Sequence, residues 1–231
     1  MSDNLNKGHR ERMRARLKKG GMEAMADHEV IELLLYYAIP RRDTNKLAHR
    51  IMREFGSLYA IFEADVTEIQ KRCGLSENTA TLLSMMAPLA RRYDMSKWGR
   101  RISFASTKSL ADYVKSLFIG QTVECFYLLC LDNRMSLKAT TELTRGTLDR
   151  AELYPREIMK AVMVSDASHV VLTHNHPSGS LDISEADIET TRRLVSMLAD
   201  VEVGVVDHII CGGKGFVSFA QRRILGLTGI D

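Results

Sequence analysis

The segment Val170-Val171-Leu172-Thr173-His174-Asn175-His176-Pro177 begins as an apolar, β-branched run, turns polar and stops at a proline. That order predicts a strand running out into a loop, closed by Pro177 and Gly179. Strand side chains two apart share a face, so His174 and His176 can converge on one ion. The loop 178–183 returns the chain to a helix for which Ser184 is the candidate N-cap. Asp187 then falls at the third helical position and faces back toward the loop. Two imidazoles and one carboxylate leave a tetrahedral zinc one place for water, the open arrangement of a catalytic site. On spacing alone, the two histidines also suit a polar exposed strand, and Ser184 with Asp187 also suits plain helix capping.

Around this segment the pattern alternates. Apolar strands are predicted at 124–131, 137–143 and 203–211, with helices at about 107–118, 154–167 and 184–199. Strands interleaved with helices predict an α/β domain over 104–226, a mixed β-sheet with flanking helices. Residues 8–98 read differently, as helices almost throughout. Asp27 is the candidate cap for the apolar run Val30 to Leu35, and Asp43 or Thr44 for the next helix, which Gly56 stops. Ser57 and Asp65 open two further helices, the second halted at Cys73-Gly74. Ser76 caps a long final helix bent near Pro88. The stretch 93–101, with Trp98 and Gly99, is the expected linker between a helical domain (1–100) and the α/β domain.

Composition narrows the class. The chain has 231 residues, 45% hydrophobic and 26% charged, which is ordinary for a water-soluble globular protein. No apolar run reaches the length of a membrane span, and the N-terminus lacks a signal-peptide layout, so a cytoplasmic location is expected. Cys73, Cys125, Cys130 and Cys211 form no Cys-x-x-Cys pair and read as small buried apolar residues. The net charge of +3 is unevenly spread. Residues 1–103 hold 19 Lys and Arg against 13 Asp and Glu, and the remainder is net acidic. A basic front half suits either a polyanionic partner or a solvated face.

The string His174-Asn175-His176-Pro177, a six-residue gap after it, and Ser184-x-x-Asp187 resemble the JAMM (MPN+) metalloprotease signature. More narrowly, the chain is similar to the bacterial RadC family along nearly its full length. Gly146-Thr147-Leu148, Tyr154-Pro155-Arg156-Glu157 and Asp207-His208-Ile209-Ile210 also match. The resemblance implies a JAB/MPN-like, cytidine-deaminase-like fold and a Zn2+ held by His174, His176 and Asp187. It also implies a zinc-activated water that hydrolyses an amide or isopeptide bond in a protein or peptide substrate. The residues alone do not choose a base among Glu124, Glu142, Glu152 and Glu157; the resemblance selects Glu124. By the same resemblance, Ser184 would donate a hydrogen bond to the oxyanion. Asn175 reads as turn-stabilising, His169 as surface, and His208 as either a support for the metal site or a core histidine.

The stretch from Glu68 to Ala80 resembles a helix-hairpin-helix, in which backbone amides meet a nucleic-acid phosphate. It keeps Gly74 and Leu75, has Ser76 where the second glycine would stand, and places Glu77 in the first turn. RadC-like proteins carry such a region, which implies possible DNA contact through residues 1–100. The alternative to a hydrolase is therefore a DNA-associated repair or recombination accessory protein whose metal site turns over weakly or not at all. A zinc deaminase lacks its Cys-x-x-Cys ligands here. A metal-dependent nuclease stays open on residue type.

Overall fold

The computed structural model describes residues 8–99, 101–146, 155–213 and 215–230. Thr147, Leu148, Glu152 and Tyr154, which figure in the sequence reading, lie outside them. The chain divides into two units, Met1–Ala90 and Arg91–Asp231. No helix of the described residues is long and apolar enough to cross a membrane.

The first unit is helical: α1 (His9–Gly20), α2 (Asp27–Ala38), α3 (Asn45–Phe55), α4 (Leu58–Glu63), α5 (Val66–Cys73) and α6 (Glu77–Ser84). Ile31, Leu35, Ile51, Ile61, Ile69 and Leu83 form its fully buried centre. Ser57, Asp65 and Ser76 each cap a helix through the side chain, as their positions predicted. Gly56 and Gly74 close α3 and α5 in the left-handed conformation that glycine adopts without a Cβ clash.

Two helix boundaries differ from expectation. Asp27 lies inside α2; Ala26 is the N-cap, and its N–H is bonded instead by the Glu29 carboxylate at 3.0 Å. The expected long last helix is broken at Met85, between α6 and α7 (Met86–Ser96). Pro88 therefore sits in the first turn of α7, where a missing N–H costs no helical bond.

Basic side chains of this unit are partly committed within it. Arg10 donates to the carbonyls of Tyr36 and Ile39 at the end of α2, which lack helical partners there, and to those of Pro40 and Arg42 in the loop that follows. Arg72 pairs with Glu68 at 2.9 Å and lies 4.0 Å over the Phe55 ring. Arg16 pairs with Glu29. These groups support the fold, which lowers the number available to a phosphate backbone.

The second unit contains α8 (Thr107–Phe118), β1 (Cys125–Leu131), β2 (Leu137–Arg145), α9 (Pro155–Ser165), β3 (His169–His176), α10 (Glu185–Ala199), β4 (Gly204–Gly212) and β5 (Gly215–Ser218). The sheet order is β2-β1-β3-β4-β5, with β3 and β4 parallel and the other pairs antiparallel. It is the mixed sheet with flanking helices that the alternation of elements predicts. β5 was not anticipated; four residues behind a Gly-Gly are too few to show a period. The stretch 93–101, expected as a linker, contributes Trp98, whose ring meets Tyr113 of α8 edge-on at 5.4 Å.

Burial on both faces explains why β1 is apolar at every position. Cys125, Tyr127, Leu129 and Leu131 pack with Leu110, Val114 and Leu117 of α8. Phe126, Leu128 and Cys130 pack on the opposite face with Ile158 and Val162 of α9 and Leu194 and Leu198 of α10. β3 follows the same division: Val171 joins the α8 face, Val170 and Leu172 the α10 face. All four cysteines are buried free thiols. Burial pushes the Cys211 thiol up to about 12, so it packs as an apolar residue and forms little thiolate.

Candidate metal centre

The period of two carries the α10 face past the end of the apolar run. After Val170 and Leu172 come His174 and His176, aimed at the start of α10. On β1 the same face holds Phe126, which pairs with His174 in the antiparallel register and stacks on its ring at 5.6 Å and 8°. Glu124 lies two residues before Phe126, just ahead of the strand. The α10 N-terminus supplies the remaining side: Ser184 is the N-cap and Asp187 the third helical residue.

These elements bring the polar atoms together. His174 Nε2 lies 3.0 Å from His176 Nε2, 3.1 Å from Asp187 Oδ1 and 3.9 Å from Glu124 Oε1. Glu124, His174 and His176 each offer an atom within 4.8 Å of the others and could hold a metal ion. Ligand atoms about 2.0–2.2 Å from a tetrahedral zinc stand roughly 3.3 Å apart. The distances from His174 Nε2 to His176 Nε2 and to Asp187 Oδ1 are close to that figure, while the group whose atoms all lie near one another has Glu124 as its carboxylate. Either N,N,O donor set suits a borderline-soft divalent ion.

Local hydrogen bonds orient each donor. Asp187 Oδ2 accepts from the Ser184 backbone N–H at 2.8 Å and from its hydroxyl at 2.6 Å, while Asp187 N–H donates back to Ser184 Oγ at 3.1 Å. This capping box fixes one carboxylate oxygen and leaves Oδ1 turned toward His174. His176 Nδ1 lies 3.1 Å from the Ser180 carbonyl oxygen. A carbonyl only accepts, so Nδ1 carries the proton and the neutral ring presents a bare Nε2.

The electrostatics favour the ligand forms. Burial pushes the His174 pKa down, against the opposing pull of Asp187 and Glu124, so the ring stays neutral. For Asp187, burial alone would raise the pKa. The adjacent His174 ring and the bonds from Ser184 together hold the carboxyl well below the usual carboxylate range. A neutral imidazole beside an ionised carboxylate is what a cation requires.

Sequence reasoning misjudged Asn175. Its side chain does not brace the following turn: Oδ1 accepts the Cys125 N–H at 2.8 Å and Nδ2 donates to the Val123 carbonyl at 3.0 Å. It therefore holds the peptide groups on both sides of Glu124. Only the β1–β3 pairing reveals this contact, which joins residues 50 apart in the chain. His208 lies with Nε2 2.9 Å from His174 Nδ1, so it touches the metal candidate directly. His169 is half-buried.

Gly212 pairs with His176 across β3 and β4. A Cβ there would stand 2.2 Å from the Ser180 carbonyl oxygen and 2.9 Å from that of Gly179. Gly212→Ala must therefore push away the acceptor that orients His176. We expect the affinity for a divalent metal, measured by chelator competition, to fall by about 10–100-fold, the usual cost of losing a ligand's hydrogen-bond partner. Unchanged affinity would show that Ser180 does not set the ring.

A mixed sheet with His-x-His at a strand end and a carboxylate on the next helix defines a JAB-type domain. A family model described as RadC-like JAB domain matches residues 104–224. A UPF0758 protein of Fusobacterium nucleatum is 31% identical over 232 residues, covering 97% of this chain and 100% of the relative. A UPF0758 protein of Janthinobacterium sp. is 36% identical, covering 92% and 95%, and one of Rhodobacter capsulatus 34% identical, covering 92% and 100%. The chain belongs to the RadC family.

Proposed function

We propose that this protein is a zinc-dependent hydrolase of the JAMM/MPN+ type, a metallopeptidase acting on an amide or isopeptide bond of a protein or peptide substrate. The supporting observation is the approach of His176 Nε2 and Asp187 Oδ1 to His174 Nε2, at 3.0 and 3.1 Å. In this reading a cation held by the three side chains accounts for the approach of His176 and Asp187 to His174 Nε2. His174, His176 and Asp187 are the ligands in this reading. A zinc ion there supplies Lewis acidity, lowering the pKa of a coordinated water toward ~7 and polarising a carbonyl.

The chain's own residues do the rest. Glu124, with its side chain 23% exposed and 3.9 Å from His174 Nε2, reaches the site without crowding it. It takes the proton of the attacking water and returns it to the leaving amine. Asn175 holds its backbone while it does so. Ser184 is the proposed oxyanion donor, and its hydroxyl proton rests on Asp187; donation to substrate requires the hydroxyl to turn from that carboxylate.

The test combines metal analysis with an activity screen. Wild-type protein purified in zinc should carry about one ion per chain, and the His174→Ala, His176→Ala variant none, since three protein ligands complete such a site. Wild type should cleave members of a peptide and isopeptide library and the variant none. Zinc without turnover on either library would overturn the hydrolase in favour of a non-catalytic site, and turnover confined to phosphodiesters would make the protein a nuclease.

A further inference from the structure

We infer that His208 and Thr191 form a buried relay that fixes the tautomer of His174, keeping its Nε2 bare for the metal. The inference rests on the zinc reading above for its purpose and on donor–acceptor distances for its content. Thr191 Oγ1 lies 2.6 Å from the Asp187 carbonyl oxygen and 2.7 Å from His208 Nδ1. His208 Nε2 lies 2.9 Å from His174 Nδ1. His208 and Thr191 are both 0% exposed, and His174 is nearly so.

Counting protons determines the direction of every bond. A hydroxyl has one proton, and the Asp187 carbonyl can only accept, so the Thr191 proton goes there. Thr191 Oγ1 is then an acceptor toward His208, whose Nδ1 must carry a proton. The neutral His208 ring consequently presents a lone pair at Nε2. His174 donates to it from Nδ1, and the other nitrogen of His174 is left without a proton. That nitrogen faces His176 and Asp187. The opposite polarity would put a second proton on a ring packed between Phe126 and Phe219, at 5.5 and 4.6 Å.

The relay also joins the two ligands that come from different elements. Its first bond ends on the backbone of Asp187 in α10, its last on the ring of His174 in β3, and β4 carries the middle member. Sequence alone leaves Thr191 as one more helical threonine, because its partners lie in the first turn of its own helix and on β4.

The experiment uses the full chain, metal-free and labelled with 15N-histidine, in long-range 1H–15N spectra that distinguish the two ring tautomers. His174 and His208 should both carry their proton on Nδ1; an Nε2 proton on His174 overturns the relay without any variant. Thr191→Val keeps the side-chain shape and removes the acceptor. It should mix the His174 tautomers and weaken zinc binding, by chelator competition, about 10–100-fold, while Thr191→Ser restores both. Wild-type affinity in a folded Thr191→Val protein overturns the inference. A wild type that binds no zinc but shows the stated tautomers sinks the metallohydrolase reading and leaves the relay standing.

Discussion

Glu124→Gln is expected to retain bound metal and, in the proposed hydrolase, to lose about 10²–10⁴-fold in rate, the range contributed by a positioned general base. The substitution preserves shape and removes the charge and basicity. Metal retention follows from the proposed ligand set, in which Asp187 Oδ1, 3.1 Å from His174 Nε2, is the third ligand in place of Glu124 Oε1 at 3.9 Å. Backbone displacement is an unattractive alternative explanation, since Asn175 bonds the peptide groups on either side of Glu124. Metal analysis and single-turnover rates on the same preparation give the answer. If the glutamine variant loses the ion along with the activity, Glu124 is a ligand, and the base must be sought elsewhere.

The parts of this molecule legible in the sequence are those that depend on local periodicity. The apolar run Val170 to Leu172 sets the face of β3, and the period of two carries it to His174 and His176. Ser184 and Asp187 are instructive, because two readings that spacing left as alternatives turn out to be compatible. One set of hydrogen bonds caps α10 and also turns Asp187 Oδ1 toward the histidines. What could not be read depends on pairing between distant strands. Asn175 meets β1, and His208 meets His174, only once the order β1-β3-β4 is known. The start of α2 was misplaced for a different reason. Asp27 is a good N-cap by type, but Glu29 reaches back from the first turn to the Ala26 N–H, and the helix starts one residue earlier than an Asp27 cap would place it. Choosing Glu124 over other acids needed the family likeness, since nothing local distinguishes it.

Asp187→Asn should be the most damaging single-atom change in the site, because the carboxylate serves two masters with two oxygens. Oδ2 receives both the N–H and the hydroxyl of Ser184, and Oδ1 faces the histidines. An amide has one acceptor atom, so the variant must either aim an NH2 at the metal position or turn it against the Ser184 N–H. In the first case the ion loses a ligand; in the second Ser184 loses the reciprocal bond of the capping box. Zinc affinity by chelator competition should fall by at least about 10²-fold, more than the cost of disturbing an outer partner of a ligand. Thermal unfolding in excess chelator separates the two outcomes. Losing that bond costs about 1 kcal/mol even without metal, a melting shift of about 2–4 °C for a domain of this size. Asp187→Ala removes both functions and should show both losses. Should it bind zinc as tightly as the wild type while Glu124→Ala does not, the third ligand is Glu124, and the roles of the two carboxylates are exchanged.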